Sequence, residues 1–267
     1  MTEVVKIKIG NARLSIEQSG EGKSIVFLHA GVADKRMWHH QIAELKDDHL
    51  VVAYDRRGFG ETTAIDEAFS HVEDLREVLD QLGISTVSLV GCSQGGRIAI
   101  DFSLAYPQRV TALVLIAPAV SGAPAPKAFP TDIQAHIEAL DEAENANDLA
   151  RVNTIEANLW LDGPTSPSGR VSHTVRNLFL EMNGIALNMP ELTKEIDPFS
   201  AYKRLSDLSL PTLVMWGGLD FPHIKERCQY LVDNIPGAKG KEIPDTAHLP
   251  NLEQPEIING LLKSFLN

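Results

Sequence analysis

Positive charge is scarce in this chain. Lys and Arg number 24 against 36 Asp and Glu, giving a formal net charge of -12, and the basic residues form no cluster. A phosphate backbone or an anionic membrane surface would be repelled, which argues against a nucleic-acid or membrane partner. Long apolar runs are missing too: no stretch approaches the roughly 20 residues of a membrane span. The opening Met1–Lys6 segment lacks the basic start and apolar core of a secretory signal, so a cytoplasmic protein is expected. Cysteine is limited to Cys92 and Cys228. Both lie in apolar segments without C-x-x-C spacing, which excludes a disulfide framework and points to buried free thiols. With no metal-ligand spacing, no internal repeat and no low-complexity tract, the chain needs neither a metal nor an organic cofactor.

What is present is a regular alternation. Val5, Ile7 and Ile9 alternate with lysines, and a second alternation from Ala12 follows a Gly10-Asn11 turn, as in a hairpin with one solvated face. Continuous apolar runs over 24–28, 49–54, 87–90, 110–116 and 211–217 read as strands covered on both faces. Between them, apolar residues recur at helical spacing, for example Val72, Leu75, Val78, Leu79 and Leu82 before Gly83. Ile224 to Ile235, a short strand over 240–243 and Ile257 to Phe265 close the pattern. This predicts an α/β protein with a mainly parallel sheet flanked by helices. The alternation breaks over 119–209, where only helix-like pieces appear: 133–140, 149–160, 171–182 and one near Leu187. Pro- and Gly-rich joints at 122–126 and 163–169 separate them. The reading is a core of 1–118 and 210–267, with 119–209 as a helical cap inserted after the sixth strand and folded over the sheet's carboxyl edge.

The chemically loaded stretch is Gly91-Cys92-Ser93-Gln94-Gly95. A strand stops at Gly91 and a helix starts at once, so the backbone turns sharply at Ser93 and pushes its side chain outward. Residues two before and two after such a turn must be very small, and both are glycine. The following helix supplies free N–H groups and a positive dipole end where an oxyanion would form. Only the apex is presented in this geometry, so Cys92 reads as a packing residue.

A serine hydroxyl needs a base, and the base needs a carboxylate to orient it. Strand ends converge in such sheets. Past the 211–217 strand comes Asp220, and past the last strand comes His248. Of the nine histidines, His29 reads as structural, His223 as a helix-start residue, and His173 falls in the cap. Arg57 reads as a loop brace. The order Ser, Asp, His over essentially the whole chain resembles the α/β-hydrolase superfamily, in particular its capped bacterial serine hydrolases: esterases, 3-oxoadipate enol-lactonases and cofactor-free haloperoxidase-like enzymes. His29-Ala30-Gly31, Asp55-x-Arg57-Gly58-x-Gly60 and Gly217-Gly218-Leu219-Asp220 resemble that family's loops. The resemblance implies an α/β-hydrolase fold and an oxyanion hole made by the N–H groups of Gly31, or Val32 beside it, and Gln94. Two residues depart from the family pattern: Ala30 stands where glycine is usual, and Gln94 where methionine or leucine is usual.

The expected activity is cleavage of a small or medium carboxylic ester or lactone through an acyl-enzyme on Ser93, with Asp220 and His248 as partners. Val32, Trp160, Phe179 and Met182 are candidates for the substrate pocket. A C–C bond hydrolase, a perhydrolase or haloperoxidase-like enzyme, and a small-molecule receptor on the same fold stay open as alternatives, as does a homodimer.

Overall fold

A computed structural model describes residues 3–171, 173–196 and 200–267. The two alternating runs form β1 (Glu3–Ile9) and β2 (Ala12–Ser19), paired antiparallel across Gly10, whose φ of 60° suits the turn. β3 (Lys23–Leu28), α1 (His39–Leu45), β4 (His49–Tyr54), α2 (His71–Gln81), β5 (Val87–Cys92), α3 (Gln94–Ala105) and β6 (Val110–Ile116) come next. After the helical stretch come β7 (Thr212–Gly217), α7 (Pro222–Asn234), β8 (Lys239–Ile243), α8 (Pro250–Glu253) and α9 (Pro255–Leu266). Among the described residues, eight strands form one sheet in the order β1-β2-β4-β3-β5-β6-β7-β8. β2 meets β4 antiparallel, and every pair from β4 to β8 is parallel.

The central strands β3, β4, β5 and β6 are buried on both faces, which is why they read as unbroken apolar runs. One face packs on α2, α3 and α7 through residues such as Leu75, Phe102 and Leu231; the other packs on α1, the short 3-10 turn ending at Trp38 just before it, and α9, through Trp38, Ile42 and Leu262. Both edges carry lysine, Lys6 and Lys8 on β1 and Lys239 and Lys241 on β8, which discourages pairing with another chain. Cys92 and Cys228 are buried free thiols, and burial pushes both well above the ordinary thiol range.

Between β6 and β7 the described residues form helices joined by turns and loops. α4 (Thr131–Asn145), α5 (Leu149–Glu156) and α6 (His173–Leu187) occupy it, and the piece expected near Leu187 is the end of α6. The run read as one helix to Trp160 changes its winding at Ala157 into a wider π-helical turn, Ala157–Asp162. The buried Asp162 carboxylate gathers the Pro-rich joint behind it, accepting the N–H groups of Gly169 and Val171 at 2.7 and 3.0 Å and pairing with Arg176. No helix among the described residues is long and apolar enough to cross a membrane.

Candidate active site

Strand β5 delivers Ser93 at φ 51° and ψ -115°, a conformation an L-residue adopts only under constraint. The constraint is visible. The Ser93 N–H donates to the Ile116 carbonyl at 2.9 Å, and its own carbonyl accepts from Ala119 at 3.0 Å and Arg97 at 3.1 Å. A Cβ at Gly91 would overlap the Gly95 backbone, one at Gly95 would overlap the Leu28 carbonyl, and one at Gly96 would sit 2.6 Å from Pro118 Cβ. The glycines therefore let helix α3 start directly against β3, leaving the Gln94 N–H without an intrahelical partner.

The acid and base loops are stitched together. Leu219 donates to the Thr246 carbonyl at 2.8 Å, and Gly218 to that of Ile243 at 2.9 Å. This brings Asp220 Oδ2 to 2.8 Å from His248 Nδ1, with both residues only 3% exposed. The other Asp220 oxygen accepts the Phe221 N–H at 2.7 Å, so the carboxylate cannot rotate freely. With Nδ1 bonded to a carboxylate, the imidazole carries its proton there and leaves Nε2 as acceptor. The π-helical turn closes over this loop: the His248 N–H donates to the Trp160 carbonyl at 3.2 Å, and the two rings lie 4.8 Å apart. Arg170, in the Pro-rich joint, ties the same loop by donating to the Asp245 carbonyl at 2.9 Å and pairing with Glu253 at 2.6 Å. Glu253 in turn accepts the Ala247 N–H at 2.7 Å, and burial pushes its carboxyl up to about 7.

Ser93, Gln94, Gly31, Val32, Trp160 and His248 all line one cavity of about 340 Å³. Phe179 and Met182 do not. Contrary to expectation, both are fully buried and pack into the apolar cluster on the α1 and α9 face. On α6 the inward side meets protein rather than the cavity, and periodicity alone cannot separate the two. The wall instead includes Glu156, His223 and Arg227, none of which the sequence pattern marked as pocket residues. Burial holds the Arg227 guanidinium below its ordinary value and His223 down to about 4, and it raises the Glu156 carboxyl, which accepts Asn183 Nδ2 at 2.6 Å. His223 and Arg227 come after Asp220 on the first turns of α7, so proximity to a strand end was the signal available.

The remaining expectations find clear places. His29 is buried, with Nδ1 at 2.8 Å from the Ala30 carbonyl and Nε2 accepting the Arg56 N–H at 3.0 Å. Burial, followed by the nearby Arg56, lowers its pKa well below the usual imidazole range, so it is a neutral structural group. Arg57 grips Asp74 through two bonds of 2.8 and 3.1 Å and reaches Glu67 and the Ile9 carbonyl, a brace between loop and α2. Among the described residues, no group of three or more His, Cys, Asp or Glu could hold a metal ion.

The sequence pattern of the alpha/beta hydrolase family matches residues 25–261. Among curated proteins the chain is 25% identical over 269 residues to 2-hydroxy-6-oxononadienedioate/2-hydroxy-6-oxononatrienedioate hydrolase of Comamonas testosteroni, covering 97% of this chain and 92% of that one. It is 26% identical over 278 residues to 3-oxoadipate enol-lactonase 1 of Acinetobacter baylyi, covering 99% and 100%. Among solved structures, a thermophilic esterase from Thermogutta terrifontis superimposes with a TM-score of 0.79 at 24% identity, covering 99% and 98%. At that identity the superposition speaks for the fold alone.

Proposed function

Since the chain belongs to the alpha/beta hydrolase family, we propose that it is a serine hydrolase cleaving a small or medium carboxylic ester or lactone through an acyl-enzyme on Ser93. The observation that carries this reading is the His248–Asp220 bond of 2.8 Å, held in the same cavity as a serine at a strained strand-to-helix turn. Ser93 and His248 make no direct hydrogen bond among the described residues, and catalytic bonds of this kind commonly tighten only around substrate.

In the proposed reaction His248 Nε2 takes the Ser93 Oγ proton as Oγ attacks the carbonyl carbon. Asp220 fixes the imidazole tautomer and stabilises the imidazolium. The backbone N–H groups of Gln94 and Gly31 receive the developing oxyanion, each donor contributing on the order of 3 kcal/mol to the transition state. His248 returns the proton to the leaving oxygen, and a water activated by the same nitrogen then releases the acid. The helices α4, α5 and α6 act as a cap, with Trp160 bringing one of its walls to the reacting groups.

The match to a 2-hydroxy-6-oxononadienedioate hydrolase favours a second reading, in which the same three residues act on a dienoic ketone and break a C–C bond. Labelling with a fluorophosphonate followed by a panel of aryl esters, lactones and dienoic ketones separates the two. Ser93→Ala should abolish labelling and turnover together. Retention of most ester or lactone turnover in that variant would refute the acyl-enzyme.

A further inference from the structure

Arg56, just past β4, is 1% exposed and has no carboxylate within ion-pair distance among the described residues. It lies 4.4 Å from the centroid of the Phe59 ring. Its Nη1 and Nη2 both donate to Gln94 Oε1 at 3.2 Å, and Nη2 also reaches the carbonyls of His29 and Ala30 at 3.4 Å. A guanidinium can only donate, so it selects the orientation of the amide it meets. The Gln94 oxygen must face Arg56, because the flipped amide would set donors against donors. The Gln94 NH2 is therefore turned the other way by chemistry, independently of how oxygen and nitrogen are assigned.

That NH2 has no hydrogen-bond partner among the described residues. The amide lies across Gly31, where an added Cβ would come within 2.7 Å of both Cδ and Nε2. Gln94 is exposed and forms a wall shared by the Ser93 cavity and a second cavity of about 310 Å³, which Arg56, Phe59, His71 and Met189 also line. Two oriented, unspent N–H donors thus stand one residue from the proposed nucleophile. An apolar side chain at this position would need no buried arginine to hold it.

We propose that the Gln94 side-chain amide, positioned by Arg56, recognises a second oxygen acceptor on the acyl chain of the substrate, within a few bonds of the scissile carbonyl. This deepens the serine-hydrolase reading and rests on it. The substrate class becomes esters or lactones whose acyl part carries an oxo, ether, hydroxyl or carboxylate oxygen. Arg56 acts through Gln94 and touches no substrate atom.

The test uses aryl pentanoate and its 3-oxo, 4-oxo and 4-methoxy counterparts with one leaving group. Selectivity is the kcat/KM of the best acceptor-bearing ester over that of pentanoate; comparing this ratio between proteins cancels intrinsic reactivity. Gln94→Met should lower it about 3- to 10-fold, the range of one neutral hydrogen bond. Gln94→Glu, which pairs with Arg56 and offers no N–H, should lower it as much. Arg56→Lys keeps the charge but loses the two-pronged hold, so it should lower the ratio at least about twofold; an equal loss on all esters would overturn the positioning role. Calorimetry with the matching inert anilides in Ser93→Ala, with and without Gln94→Met, gives the same ratio as dissociation constants. A ratio that Gln94→Met and Gln94→Glu leave unchanged in turnover and binding overturns the proposal. If the wild-type protein hydrolyses none of the esters, the serine-hydrolase reading falls, while the anilide ratio still decides the role of Gln94.

Discussion

Replacing Asp220 by asparagine removes one charge and almost no volume, and the hydrogen bonds around the carboxylate set the outcome. Asp220 uses one oxygen for the Phe221 N–H at 2.7 Å and the other for His248 Nδ1 at 2.8 Å, and both partners donate. Asparagine has one acceptor and one donor group where two acceptors are required. If its oxygen stays with Phe221, the NH2 faces Nδ1, and His248 must move its proton to Nε2 to accept. The imidazole then points N–H at Ser93 and cannot act as base. If the amide flips, the tautomer survives but the Phe221 N–H faces a donor in a buried site. The first arrangement keeps both hydrogen bonds and is favoured. Turnover of an aryl ester should therefore fall by about 10^3- to 10^4-fold, the loss expected when a triad histidine is held in the wrong tautomer. Stability should change by no more than about 1–3 kcal/mol, since either outcome strands at most one buried polar group. Steady-state kinetics, with urea unfolding as the control, decide the matter. A folded Asp220→Asn protein retaining more than a tenth of wild-type kcat would refute the argument that Asp220 sets the base.

Three further variants have defined expected outcomes. Phe179→Ala should destabilise the fold by about 3–5 kcal/mol in urea unfolding, because Phe179 is fully buried in the core cluster. It should leave the relative kcat/KM of short and long acyl esters unchanged, whereas Trp160→Leu, on the cavity wall, should shift that preference. His71 is held well below the ordinary imidazole range by burial and then by Arg56 and Arg97. The unfolded chain therefore binds the extra proton first, and wild-type stability from this group falls as pH drops below about 6.5. His71→Asn removes that loss, so the difference in unfolding free energy between wild type and variant should move in the variant's favour by up to about 1.4 kcal/mol per pH unit between pH 6.5 and 5. An unchanged difference would show that His71 is not buried neutral.

How far the sequence reached depends on how each feature is encoded. β3, β4, β5 and β6 were legible because burial on both faces leaves a continuous apolar run, and the candidates Ser93, Asp220 and His248 stood out because they lie at the end of β5 and in the loops that follow β7 and β8. Phe179 and Trp160 were not separable: both are apolar residues on helices of 119–209, and the π-helical turn that swings Trp160 onto the cavity has no periodic signature. Gln94 illustrates a different limit. Its departure from the usual residue was visible, but the reason for it lies across the sheet. In the strand order β4-β3-β5, the loops carrying Arg56, Gly31 and Gln94 are neighbours. Gln94 passes over the β3 loop to reach Arg56, along a path where a Cβ at position 31 would come within 2.7 Å of its amide. The glycine that the family resemblance offered, with Val32 as the alternative, as an oxyanion donor therefore also leaves room for a side chain. Any larger residue at 31 should uncouple Gln94 from Arg56 before it disturbs the strand beneath.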